Sequence, residues 1–207
     1  MDQLEAFQDV TSVSRETLER LQIYANLLKK WNPAINLVSK STLDHIWERH
    51  FLDSAVAYKI AAKKPGKWVD LGSGAGFPGL VLAILAADDD QNSKVTCIET
   101  DLRKSEFLRT VARNTGISVN VLSRRIEDAP PQSADCIFAR ALAPLTRLLE
   151  FAEQHVAQDG FCVFHKGQDW KAELESAQIN WQFDHSHHTS PTDPSAVLLC
   201  VKEIARV

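Results

Sequence analysis

The chain has 207 residues, 44% hydrophobic and 24% charged, with a net charge of −4. That is enough for one sizeable core with an appended subdomain, and it excludes a disordered chain or one that coats nucleic acid indiscriminately. The start, Met1 to Val10, carries acids and no apolar leader run, and no stretch approaches ~18 consecutive apolar residues, so a cytoplasmic chain without a membrane span is expected.

Between Ser14 and Asn32 apolar residues recur at Leu18, Leu21, Ala25, Leu28 and Trp31, the spacing of one helical face. Ser14 is the expected N-cap, and Asn32-Pro33 the expected end, because proline disfavours helical geometry in the residue before it. A second helix is predicted from a Ser41 cap, with Asp44 near its first turn and Leu43, Ile46, Trp47, Phe51 and Ala55 as its buried stripe. Lys63-Lys64-Pro65-Gly66 breaks that pattern. From Lys67 short apolar strands alternate with helical stretches, the form of a parallel sheet with crossover helices. The strands are expected at Trp68 to Leu71, Val95 to Glu99, Val119 to Leu122, Cys136 to Ala139 and Phe161 to His165. Helices are expected at Pro78 to Ala87, Leu102 to Thr115, Leu142 to Ala157 and Trp170 to Ala177, with an antiparallel edge hairpin of Trp181 to His185 and Val197 to Val201. Gly116 and Gly160 stand just past two helix ends, where left-handed backbone is needed. The widely spaced Cys97, Cys136, Cys162 and Cys200 read as buried free thiols.

The candidate chemistry centres on Gly72-Ser73-Gly74-Ala75-Gly76, between a buried strand and a helix that Pro78 is placed to open. Glycines there let a ligand press against the backbone, although they also serve simply to shape a tight turn. Gly74 to Gly79 also satisfies G-x-G-x-x-G, which keeps a dinucleotide site as a rival. Two carboxylates favour an aminoacyl nucleoside, S-adenosylmethionine. Glu99, closing the next strand, is suited to accept hydrogen bonds from ribose hydroxyls, and Asp70 to meet a cationic amino group; the plainer readings are a solvated Glu99 and a helix-capping Asp70. Ile126 and Glu127, after the third strand, are placed to frame an adenine, unless Glu127 only balances its neighbouring arginines. Arg140, at the end of the fourth strand, lies on the ligand side of the sheet, or is a surface arginine.

Lys30-Trp31-Asn32 with Asn36-Leu37, Arg49-His50-Phe51-Leu52-Asp53-Ser54, the glycine turn, Arg103-Lys104-Ser105-Glu106-Phe107-Leu108, Ser123-Arg124, Ala139-Arg140-Ala141 and Lys166-Gly167 follow one another in order. Together they resemble the bacterial small-subunit ribosomal RNA guanine-N7 methyltransferases, the glucose-inhibited division B family. The resemblance implies a class I S-adenosylmethionine-dependent methyltransferase: an α/β, Rossmann-like, seven-stranded sheet, mostly parallel with an antiparallel edge. Residues 1–64 would be an N-terminal helical extension packed on a methyltransferase domain of residues 65–207. The resemblance further implies S-adenosylmethionine as donor, S-adenosylhomocysteine as product and a guanine of 16S rRNA as acceptor, presented in a ribosomal particle to a monomeric enzyme. Donor contacts are implied at Gly72, Phe77, Ile126-Glu127 and Arg140; the chemistry of the residues adds Gly74, Gly76 and Glu99. Two departures stand out: Ala139, where related sequences often have serine, and Ser195-Ala196, where an arginine is common.

Guanine N7 carries a lone pair and no hydrogen, so its methylation needs placement rather than a general base, and no catalytic base is assigned. Cations for the acceptor strand are expected among Lys29, Lys30, Arg49, His50, Arg103, Lys104, Arg109, Arg124, Arg125 and Lys166, each with the alternative of a solvated or paired side chain, and His50 with that of orienting the N-terminal helices. Trp31 and Trp47 read as core, not base platforms. His185, His187 and His188 sit in a loop-like context without a carboxylate or cysteine partner, so no metal is expected. The donor site alone also fits a methyltransferase of a small metabolite or protein, and the turn alone a non-catalytic nucleotide-binding module.

Overall fold

The computed structural model describes residues 7–8, 10–89 and 92–207; most of the acidic start, Met1 to Ala6 and Asp9, lies outside the described residues. Helix α1 (Arg15–Ile35) starts where expected: the Ser14 hydroxyl accepts the Thr17 N–H, and Leu18, Leu21, Tyr24, Ala25 and Leu28 are buried. It does not stop at Asn32. Pro33 lies inside the helix, and Asn36, in left-handed conformation, ends it. The reason is local: the Asn32 carbonyl accepts the Asn36 N–H at 2.9 Å, and its side-chain oxygen accepts those of Leu37 and Val38 at 2.8 and 2.9 Å, which holds the residue before proline helical.

The predicted second helix is interrupted. It consists of a short α2 (Lys40–Leu43), a π turn (Trp47–Leu52) and α3 (Asp53–Ala61), and its cap position is Ser39 rather than Ser41. The π turn turns Trp47, His50 and Phe51 inward together. Trp47 is core, as expected, and Trp31 packs half-buried on Phe107.

The sheet strands are β1 (Lys67–Leu71), β2 (Lys94–Ile98), β3 (Val119–Leu122), β4 (Ala134–Arg140), β5 (Val156–Lys166), β6 (Trp181–Ser190) and β7 (Asp193–Arg206). They form one seven-stranded sheet in the order β3-β2-β1-β4-β5-β7-β6, with β1 to β5 parallel and β7 antiparallel to both β5 and β6. The crossovers are α4 (Gly79–Asp88), α5 (Leu102–Thr115), α6 (Leu145–His155) and α7 (Trp170–Gln178). Strand alternation divides the interior. Trp68, Val95, Cys97 and Phe138 join the N-terminal helices, α4 and α5 on one face, while Val69, Leu71, Ile137 and Phe164 join α6 and α7 on the other. The N-terminal helices therefore share a core with the sheet.

Three expectations need correction. Gly160 is not a left-handed helix cap but lies inside β5, beside the irregular pairing at Ala134, where a Cβ would come within 2.5 Å of the Ala134 carbonyl oxygen. His185, His187 and His188 are on a strand, because β6 runs on along β7 as the exposed edge of the sheet, opposite the buried Val201, Leu199 and Leu198. The thiols are free, but Cys200 is only half-buried.

Candidate functional site

The strand order reverses direction at β1, with β2 on one side and β4 on the other. Crossovers leave opposite faces there, so a crevice opens beyond the carboxyl ends of these strands. It is a cavity of about 640 Å³, in the range that holds a drug-sized ligand. The glycine turn forms its floor. Glu99, just past β2, fixes that floor: its two carboxylate oxygens accept the Gly74 N–H at 2.7 Å and the Asp101 N–H at 2.8 Å. Each oxygen keeps a lone pair for a further donor. Gly74 has φ +55°, and a Cβ there would meet nothing closer than the Gly72 carbonyl oxygen at 3.8 Å, so the space above it is open. Phe77 is held between two rings, Tyr24 at 5.2 Å and His50 at 4.7 Å, both nearly parallel to it. The Tyr24 hydroxyl donates to the Ala75 carbonyl and so ties α1 to the turn.

Asp70 does not line the cavity. It is buried beneath the turn and accepts the Gly79 N–H at 3.1 Å at the start of α4, the helix-capping role rather than a meeting with an amino group. Burial, with Glu99 nearby, raises its pKa to about 7, against the Ser73 and Gly79 hydrogen bonds that lower it.

Of the expected donor residues, Gly72, Gly74, Phe77, Glu99, Ile126, Glu127 and Arg140 all border the cavity, whereas Gly76 packs behind it. Glu127 also pairs with Arg125 at 3.2 Å and with Arg147 at 2.6 Å, so balancing arginines is part of its role. Arg140 is mostly buried: its Nη2 donates to the Arg49 carbonyl at 2.8 Å and lies 3.9 Å from Asp53.

The expected cations divide sharply. Lys104, Arg124 and Arg125 reach the cavity, and among the described residues Lys104 and Arg124 make no ion pair. Lys29 and Lys30 are exposed on α1 but do not border the cavity, nor does Arg103, which lies 3.7 Å from Asp101. Arg49 is committed to the β6–β7 turn through the Thr192 carbonyl and Asp193. Arg109 donates to Val121 and Ser123. Lys166 is buried against Glu173 at 2.5 Å. His50 is buried and, held down by desolvation and by Arg140 and Arg49, has a pKa of about 3, so it is no cation at neutral pH. The separating signal is tertiary: a basic residue in sequence says nothing of whether an acid will meet it.

The sequence reading missed Leu37, Val38, Ser39 and Thr42, which roof the cavity from the segment after α1, and Leu142 and Phe151 on its far wall. It also missed Tyr24, although its place three residues after Leu21 was a usable signal. Among the described residues no group of histidine, cysteine and carboxylate side chains could hold a metal, and no helix is long and apolar enough to cross a membrane.

A family model described as rRNA small subunit methyltransferase G matches residues 17–196. The "Ribosomal RNA small subunit methyltransferase G" of Ruegeria sp. (strain TM1040) is 50% identical over 195 residues, covering 94% of this chain and 95% of that protein. Among solved structures, a ribosomal protein L11 methylase from Lactobacillus delbrueckii subsp. bulgaricus aligns with a TM-score of 0.57 at 20% identity, over 72% of this chain and 76% of that one. M. jannaschii TYW2, in complex with AdoMet, aligns with a TM-score of 0.53 at 13% identity, over 75% and 77%.

Proposed function

Because the chain belongs to the rRNA small subunit methyltransferase G family, we propose that it moves a methyl group from S-adenosylmethionine to N7 of a guanine in small-subunit rRNA. The observation that carries this reading is the crevice at β1 and β4, which joins the glycine-turn floor held by Glu99 to a rim where, among the described residues, Lys104 and Arg124 make no ion pair. The cavity volume and the open space over Gly74 fit the donor. Gly72, Gly74, Phe77, Glu99, Ile126, Glu127 and Arg140 would hold it, with Gly76 supporting the turn from behind. Bound there, the donor supplies an activated sulfonium methyl. The chain's own task is then to orient N7 in line with that methyl and to exclude water, and N7 needs no proton removed. Lys104, Arg124 and Arg125 at the rim, with Arg103, Lys29 and Lys30 farther out, would meet the phosphates. Lys166, spent on Glu173, falls outside that set.

Residues 1–64 serve in this reading as a helical extension that roofs the donor cleft of the domain formed by residues 65–207. Such a protein would act as a monomer, in the cytoplasm, on a ribosomal particle whose folded rRNA presents the target by shape. The test is transfer of labelled methyl to small-subunit rRNA followed by mass mapping of the modified nucleotide. A single N7-methylguanine is the expected product. Label on a metabolite with none on rRNA would refute the assignment.

A further inference from the structure

A second cavity, of about 330 Å³, adjoins the main one, and Ala141 and Leu142 line both. Ala141 has φ +50°, a left-handed backbone that is rare outside glycine and gathers at functional sites. On its far side the second cavity is bounded by Lys166, which ends β5, and Glu173 of α7. Their ion pair calls for an explanation. The Lys166 side chain is only 7% exposed, and a pair so buried seldom stabilises a fold more than apolar side chains of the same size would. Nor is the pair complete. Lys166 Nζ donates to the Ala143 carbonyl at 3.1 Å and to Glu173 Oε2 at 2.5 Å, and that same oxygen accepts the Leu145 N–H at 2.7 Å. An ammonium has three N–H groups and a carboxylate two oxygens, so among the described residues one Lys166 donor and Glu173 Oε1 have no partner.

We propose that Lys166 and Glu173 read the acceptor base, Lys166 donating to guanine O6 and Glu173 Oε1 accepting guanine N1–H. This rests on the guanine reading above and gives that guanine its pocket. The ion pair holds a free donor and a free acceptor side by side, and guanine offers the matching order, an acceptor at O6 beside a donor at N1. Adenine and cytosine offer the reverse, an amino donor beside a ring-nitrogen lone pair, which would set N–H against ammonium and lone pair against carboxylate. Uracil shares guanine's order but has no N7 to methylate. Guanine alone meets both conditions. Its N7 lies on the same edge as O6, so a base taken out of its stack and held at O6 and N1 turns N7 toward the wall of Ala141 and Leu142 that the two cavities share. A buried lysine that meets no phosphate thereby gains a role in choosing the base.

The test changes protein and base separately and together. Small-subunit particles assembled around rRNA with guanine or 6-thioguanine at the methylated position are offered to the full chain and to its Lys166→Met, Glu173→Gln double variant. That variant removes both charges at once, so neither is left buried alone, and it keeps an oxygen for the Leu145 N–H. On guanine its kcat/KM should fall at least about tenfold, while calorimetry shows S-adenosylhomocysteine affinity unchanged. Sulfur, a poor acceptor in place of O6, should slow the wild type in the same way and cost the double variant nothing more. Losses that simply multiply would overturn the proposal, as would a wild type that methylates both bases at one rate, a result that does not depend on any variant folding. A double variant with wild-type kcat/KM on guanine would also overturn it. Loss of S-adenosylhomocysteine affinity in step with transfer would make the pair a brace for the start of α6 instead. A wild type that binds S-adenosylhomocysteine yet methylates no guanine would remove the acceptor reading itself, and this proposal with it.

Discussion

Replacing Gly74 by alanine should separate donor binding from folding, and replacing Gly76 should not. Both glycines have positive φ, +55° and +95°. At Gly74 the new methyl meets only the Gly72 carbonyl oxygen, at an ordinary 3.8 Å. The free protein then bears little beyond the left-handed backbone cost of roughly 1–2 kcal/mol. In a chain of this size each kcal/mol lowers the melting temperature by about 2–4 °C, so a fall of roughly 2–8 °C is expected. The same methyl occupies the open cleft, and affinity for S-adenosylhomocysteine should drop at least about tenfold, near 1.4 kcal/mol. At Gly76 the methyl would lie 2.5 Å from Leu80 Cδ1 and 2.8 Å from the Tyr24 hydroxyl. Tyr24 is held by Phe77 and by the Ala75 carbonyl, so overpacking adds roughly 1–3 kcal/mol to the backbone cost. Thermal melts of the free variants and calorimetric titration with S-adenosylhomocysteine measure both effects. Unchanged affinity in Gly74→Ala, or a larger fall of melting temperature there than in Gly76→Ala, would refute the reasoning.

Glu99→Gln places an amide NH₂ against one of the two backbone N–H groups that the carboxylate now accepts. A penalty of about 1–3 kcal/mol should appear as weaker S-adenosylhomocysteine binding, and a titration matching wild type would count against Glu99 as the anchor of the floor. Removing Lys104 and Arg124 together should reduce the slope of log affinity for single-stranded rRNA fragments against log salt by about 0.7 for each phosphate that is no longer neutralised; an unaltered slope would take both residues out of the RNA interface. The histidine His50, with its pKa pushed down to about 3, is neutral in the folded protein but takes up a proton below about 6.5 when unfolded. Its stabilising share is complete above pH 6.5 and is lost as pH falls toward 3, amounting to about 2 kcal/mol at pH 5. His50→Phe should therefore lose less melting temperature than wild type between pH 7 and pH 5, and parallel curves would show that His50 is not buried neutral.

Periodicity and punctuation carried the sequence reading a long way. The apolar runs of β1 to β4, the Ser14 cap and the strand-to-helix glycine turn are all dictated by residues within a few positions of one another, and each lies close to where it was expected, whereas β5 begins at Val156, five residues early and inside the span expected for the preceding helix. The π turn was not legible, because Leu43, Ile46, Trp47 and Phe51 keep an acceptable α spacing. Its extra residue is stabilised from afar, by Phe77 against His50 and by Thr192 against Arg49. The same holds for the charges. Lys166 and Lys104 are equivalent as letters, yet one is buried against Glu173 and the other borders the cavity with no ion pair among the described residues.

By itself the sequence determined the alternation of strands and helices, the turn that forms the cleft floor and the carboxylate that closes β2, since local sterics and side-chain periodicity act over a few residues. Only the tertiary structure decided that Asp70 turns under α4, and that Arg140, Arg49 and Asp53 lock together. Those side chains meet partners 9, 91, 143 and 137 positions away, and no pattern short of the folded sheet brings such distances together.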